Sequence, residues 1–184
     1  MRLPVMMACM LMAAMSTTTI AEPYVGFGVG SASYQVDLAG GGSYDDSGAG
    51  FKLYSGYAFN KYFAAELDIY SFAEASAGSV ETSPGSGTFV SAMASMNGVG
   101  AYAVGMYPVS KKVNLVAKLG MLRWDAELTV NNSTASNDGT DAAYALAASY
   151  AFTKELLLVA EWEWFNTDNP QVSLLSAGFR FNFR

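Results

Sequence analysis

No histidine occurs in the 184 residues, and the only cysteine is Cys9. The first absence removes Ser-His-Asp, Cys-His and Asp-His catalytic arrangements together with metal sites built on imidazole. The second removes disulfides, and the chain beyond residue 21 has neither a thiolate nucleophile nor a thiolate ligand. Positive charge is scarce as well, with ten basic residues against sixteen acidic ones. That balance argues against nucleic acid as a partner, which needs a basic footprint. Long apolar runs are missing too: beyond the first 21 residues none approaches the ~20 residues of a membrane helix, although 52% of the chain is hydrophobic.

The first 21 residues read unlike the rest. Arg2 is followed by an apolar stretch of Leu, Val, Met and Ala through Met15, then by Ser16, Thr17, Thr18, Thr19, Ile20 and Ala21. A basic start, a short apolar middle and a small-residue exit describe a secretory signal peptide, with Thr19 and Ala21 as the small pair before Glu22. Residues 1–21 are therefore set aside as a cleaved signal, and residues 22–184 form one domain. A lipoprotein reading of Cys9 would leave only eight residues ahead of the lipidated position, too few for targeting. Removing Arg2 leaves nine basic against sixteen acidic residues, a formal charge of −7.

Apolar residues in the mature chain recur with a period of two. Phe179, Phe181 and Phe183 interleave with Arg180, Asn182 and Arg184. Leu156, Leu158, Ala160, Trp162 and Trp164 share one parity, and Glu155, Glu161 and Glu163 the other. Phe63, Ala65, Leu67 and Ile69 oppose Glu66, Asp68 and Tyr70. Such segments are strands with one apolar and one polar face. Eight are predicted, over 23–36, 48–59, 62–73, 90–107, 112–127, 140–152, 155–166 and 172–183. Each reaches the ~9 to 11 residues that a tilted membrane strand needs.

Connections alternate in length. Those at Asn60 and Lys61, from Pro108 to Lys111, and at Thr153 and Lys154 are tight, whereas Asp37 to Ser47, Glu74 to Thr88 and Leu128 to Gly139 read as long polar loops. The connection near Asp168 to Pro170 is short. An up-and-down barrel alternates its connections between two ends, and outer-membrane barrels keep the short turns in the periplasm and the long loops outside.

Aromatics crowd where strands meet the short turns: Tyr24, Tyr57, Phe59, Tyr62, Phe63, Tyr107, Tyr150, Phe152, Phe181 and Phe183. Phe51, Tyr70, Phe72, Trp124, Trp162 and Trp164 fall nearer the other ends. Two belts suit two membrane interfaces. Lys61, Lys111, Lys112 and Lys154 sit at the short turns, while Asp37, Asp45, Asp46, Glu74, Glu81, Asp138 and Asp141 mark the long connections. These charges read as solvated turn chemistry.

The fold class predicted is therefore all-β, an eight-stranded antiparallel up-and-down transmembrane β-barrel. In hydrocarbon an open strand edge leaves backbone groups unpaired, and closure removes the edges. An eight-stranded barrel is just wide enough for side chains to fill its interior. Gly26, Gly28, Gly30, Ala143, Ala145 and Ala147 fall on the inward parity and relieve crowding there.

Several stretches resemble the eight-stranded transmembrane domain of the outer-membrane protein A family and its single-domain relatives. Gly56-Tyr57-Ala58-Phe59-Asn60-Lys61-Tyr62 through Glu66 and Tyr70 looks like that family's second strand, turn and third strand. Tyr107-Pro108-Val109, then Asn114-Leu115 and Lys118-Leu119-Gly120, resembles its fourth turn region and fifth strand. Thr153-Lys154-Glu155 to Glu161 and Trp164, with Gly178-Phe179-Arg180-Phe181-Asn182-Phe183, resembles its last two strands. The resemblance implies a polar plug of inward charges. Glu66, Lys118 and Glu161 match charged inward positions, but Val104 and Val159 stand where the family carries basic residues, so its gating pairing does not transfer intact. Lys118 is expected to pair with Glu66 or Glu161, because an unpaired charge in a narrow barrel is costly. A peptidoglycan-binding domain is not expected after the last strand, and Arg184 follows the terminal aromatic that assembly machinery is said to read.

The function expected is that of a small integral outer-membrane barrel with a structural or surface-interaction role and a largely plugged lumen. Its polar cluster comprises Glu66, Asp68, Lys118, Glu161, Glu163 and Arg180. Its partners are outer-membrane lipid, lipopolysaccharide and, during biogenesis, the assembly machinery. It acts as a monomer, without cofactor, metal or catalytic residues. A narrow low-conductance pore is the alternative, ahead of a soluble ligand carrier with its faces reversed and a lipid-modifying enzyme. Glu161 and Glu163, at i and i+2, are more simply two lumen-facing residues than an acid/base pair.

Overall fold

A computed structural model describes residues 22–37, 43–81, 89–130, 133–166 and 171–183. Eight strands make up almost all of it: β1 (Glu22–Asp37), β2 (Ser43–Ala58), β3 (Phe63–Glu81), β4 (Phe89–Pro108), β5 (Val113–Val130), β6 (Ser133–Ala151), β7 (Leu156–Phe165) and β8 (Gln171–Asn182). Each pairs antiparallel with its sequence neighbours, and β1 pairs with β8, closing the barrel. The signal-peptide segment 1–21 lies outside the described residues.

Four strands run past their predicted ends at the far side from the short turns. β2 starts at Ser43, β3 runs to Glu81, β5 runs to Val130 and β6 starts at Ser133, with the β5–β6 ladder continuous up to Val130 opposite Ser133, whereas β1, β4, β7 and β8 end there within one residue of the prediction. Most of the stretches read as long loops are thus paired strand. A hairpin can keep its backbone ladder where neither face needs to be apolar, so the end of hydrophobic alternation does not mark the end of the strand. The remaining connections, 38–42, 82–88, 131–132 and 167–170, lie outside the described residues.

Three tight turns close the other end with one chemistry. Asn60 Oδ1 accepts the N–H groups of Tyr62 and Phe63, at 2.7 and 2.9 Å. Ser110 Oγ accepts those of Lys112 and Val113, and Thr153 Oγ1 those of Glu155 and Leu156. Each turn is a four-residue unit in which the second residue caps the chain, and each is also closed by a backbone bond, Phe59 to Phe63, Val109 to Val113 and Phe152 to Leu156.

Outward positions carry the apolar surface. Leu67, Ile69, Leu119 and Leu146 are each 59% exposed, an arrangement only an apolar solvent makes favourable over so much of the wall. Tyr57, Phe59, Tyr62, Phe63, Tyr107, Tyr150, Phe152, Phe181 and Phe183 are exposed around the short-turn end. Same-face neighbours there pack edge to face, Tyr150 on Phe152 at 5.4 Å and Phe181 on Phe183 at 5.2 Å. Trp162 and Trp164 lie near the opposite rim, ring centres 4.5 Å apart.

Four aromatics assigned to the belts belong to the interior instead. Tyr24, Tyr70 and Phe72 are buried, and Trp124 is partly buried against the core, its indole N–H donating to Asp141 at 2.6 Å. All four share the inward parity of their strands. Height along a strand suggested the belts, but facing direction is set by parity alone.

Candidate functional site

Inward positions are the even residues of β1 to β5 and β8 and the odd residues of β6 and β7. This parity brings Lys52 of β2, Glu66 and Asp68 of β3, Lys118 of β5 and Glu161 and Glu163 of β7 to one layer across the lumen, all buried. Lys118 is ion-paired with Glu66 and stands 2.8 Å from Glu161 and 3.6 Å from Asp68. Lys52 stands 2.8 Å from Glu161 Oε2, 3.0 Å from Glu163 Oε2 and 3.9 Å from Asp68. Glu161 therefore bridges the two ammonium groups with its two oxygens.

Tyrosines complete the layer. Tyr24 donates to Glu66 at 2.7 Å. The Tyr70 hydroxyl donates to Glu163 at 2.7 Å, shares a hydroxyl contact of 2.9 Å with Tyr102 and lies 3.0 Å from Asp68. Tyr54 presents its ring to both lysines, at 5.3 Å from Lys52 and 5.2 Å from Lys118. Ring faces and carboxylates together replace the water these ammonium groups give up.

Room for such long side chains comes from glycine and alanine. A Cβ at Gly26 would stand 2.2 Å from the Tyr54 ring, and one at Gly56 would stand 2.2 Å from the Tyr24 ring. Gly26 is the register partner of Tyr54, and Tyr24 that of Gly56. Each tyrosine thus covers the bare backbone of the neighbouring strand. Ala145 and Ala147 of β6 play the corresponding role between Lys118 and β7.

Five of the six residues expected in the lumen cluster, Glu66, Asp68, Lys118, Glu161 and Glu163, meet in this layer. Arg180 does not. It faces inward nearer the short turns, its guanidinium 4.7 Å from the Tyr24 ring, and pairs with no carboxylate among the described residues. Lys118 contacts both carboxylates named as alternatives. Sequence reasoning missed Lys52, the ring of Tyr54 and the hydroxyls of Tyr24, Tyr70 and Tyr102. The signal was present in Phe51-Lys52-Leu53-Tyr54, where the inward parity carries the ammonium and the phenol.

Chemically, the layer is a network of paired charges in which Asp68 Oδ1 and the Tyr54 hydroxyl are buried without a hydrogen-bond partner among the described residues. Lysines are interleaved with the carboxylates, and among the described residues no group of three or more His, Cys, Asp or Glu is placed to hold a metal ion. Between Tyr54, Glu66, Val104, Lys118, Val159, Glu161 and Arg180 the remaining void is only about 10 Å³.

A closed eight-stranded barrel with apolar residues outside and charges inside is the architecture of an outer-membrane barrel, and the family model for the outer membrane protein beta-barrel domain matches residues 3–183. The chain belongs to that family. Among solved structures, this outer-membrane barrel is similar to neisserial surface protein A, at 19% identity and a TM-score of 0.65, over 89% of this chain and 99% of that one. It is also similar to Ail, the attachment invasion locus protein of Yersinia pestis, in complex with the heparin analogue sucrose octasulfate, at 20% identity and a TM-score of 0.59, over 88% of this chain and 99% of that one. A major outer membrane protein from Thermus thermophilus aligns at 12% identity and a TM-score of 0.64, over 89% of this chain and 100% of that one. At these identities the likeness is one of fold. No curated protein matches the chain.

Proposed function

We propose that this outer-membrane barrel is a plugged, non-catalytic wall element that works by its structure and its external surface. The void of about 10 Å³ at the charged layer carries this reading. It is at the lower limit of the ~10–15 Å³ that one water requires, so ions have no continuous wet path. In this reading residues 1–21 are cleaved on export, the short turns face the periplasm, and the long hairpins project outside the cell. Outer-membrane lipid and lipopolysaccharide surround a monomer that the assembly machinery has inserted.

Binding of a heparin analogue, as in the Ail complex with sucrose octasulfate, is not carried over to this barrel. The far ends of the strands bear Asp37, Asp45, Asp46, Glu74, Glu81, Asp125, Glu127, Asp138 and Asp141 against Arg123 alone. A sulfated ligand would meet repulsion there, so the external surface suits neutral or cationic partners.

Planar-bilayer recording tests the plug. Purified protein is expected to give no reproducible openings, whereas steady unitary currents would replace this reading with a narrow low-conductance pore.

A further inference from the structure

At the short-turn end the lumen widens into a mouth of about 1010 Å³. The three tight turns each place a lysine immediately after the capping residue: Lys61 after Asn60, Lys111 after Ser110 and Lys154 after Thr153. The turn needs the capping oxygen and nothing of its neighbour. Yet all three lysines, together with Lys112, line the same mouth.

At the base of the mouth sits Arg180. Its guanidinium is stacked on Tyr24, and its Nε is buried without a hydrogen-bond partner among the described residues. Glu66, the acid nearest to Tyr24, is already engaged by Tyr24 and Lys118. Among the described residues that line the mouth, five are cationic and one, Glu22, is a carboxylate. Of the rim lysines, Lys61 rests over the Tyr62 ring at 4.8 Å and Lys112 over the Tyr150 ring at 5.8 Å, within a side-chain swing of the opening, and a guanidinium with an unused buried donor below such lysines is a donor set that recognises phosphate.

We infer that this mouth is a binding site for a soluble polyvalent phosphate anion, with Arg180 as the inner anchor and Lys61, Lys111, Lys112 and Lys154 as the rim. The source is soluble because the mouth opens along the barrel axis, inside the ring of strands, whereas lipid meets the outward residues. The site does not depend on the plug; with the short turns facing the periplasm, as proposed above, the anion is a periplasmic one.

Inorganic tripolyphosphate titrated into the barrel in nanodiscs of zwitterionic lipid, followed by calorimetry, tests the site without regard to orientation. Saturable binding is expected, weakening as salt is raised. Arg180→Gln and, separately, the combination Lys61→Gln, Lys111→Gln and Lys154→Gln are each expected to weaken it at least about tenfold. Arg123→Gln, at the opposite end, should leave it unchanged. The lysine changes lie in exposed turns, so they keep the test valid if Arg180→Gln fails to fold. Absence of saturable binding, or equal binding by the lysine-depleted variant, would overturn the site. Full competition by phosphatidylglycerol included in the nanodisc would overturn the soluble source and assign the phosphate to a lipid headgroup.

Discussion

Lys118 Nζ stands 2.8 Å from Glu161 Oε1 although their strands, β5 and β7, are not neighbours in the wall. The contact passes over β6, whose inward residues at that height are Ala145 and Ala147. Small residues on one strand thus let charges on its two neighbours meet, and the same device, with glycine, lets Lys52 of β2 lie over Gly28 of β1.

Removing that ammonium leaves three buried carboxylates short of a partner. Lys118→Met is expected to destabilise the folded barrel by about 3–5 kcal/mol, the usual cost of breaking a buried pair from one side. Denaturant unfolding in lipid vesicles measures it. Adding Glu161→Gln should recover part of the loss, since the two residues share one network.

Gly26 and Gly56 are expected to be intolerant of any side chain. Gly26→Ala puts a methyl where the Tyr54 ring lies, and about 1–3 kcal/mol is the scale for such overpacking. In the background of Tyr54→Leu the same glycine change should cost less. Equal costs in both backgrounds, measured by the same unfolding, would show that the ring is not what the glycine accommodates.

Outward positions should respond to charge by depth. Leu67→Arg, on the middle of the wall, is expected to cost about 2–4 kcal/mol, and Val109→Arg, in a short turn, about 0–1 kcal/mol. Reversible folding into vesicles reads both. Comparable costs at the two sites would place the apolar band elsewhere.

Trp124 is expected to report from the interior. Its indole donates to Asp141 and its ring lies over Gly139, whereas Trp162 faces outward at 50% exposure. A lipid-borne quencher should therefore spare the emission of a variant retaining only Trp124 and quench one retaining only Trp162.

Much of the fold was legible because hydrocarbon imposes a strict period of two. Leu67 with Glu66, and Leu158 with Glu161, assign their faces without further information. The limits of the strands were not legible in the same way: Ser133 to Asp138 carry no alternation, since a hairpin in water needs none. At the site, Glu66, Lys118 and Glu161 could be named from parity and family likeness. Lys52 is masked by the large residues around it, and height along the strand does not separate Tyr24, Tyr70, Phe72 and Trp124 from the belts, whereas facing direction does. Which carboxylate meets which lysine depends on register and shear, and these become explicit only when the barrel closes.

The central claim is that lipid solvates one parity of each strand while the other is sealed inside. Nitroxide labels placed singly at Leu67, Leu146 and Leu158, and at Ala145 as the inward control, can be read in native membranes for collision with oxygen and with a water-soluble nickel chelate. Oxygen-rich, chelate-poor signals are expected at the three leucine positions, with neither collider reaching residue 145. Chelate access at the leucine positions equal to that at Val109 in the exposed turn would contradict the membrane-spanning barrel.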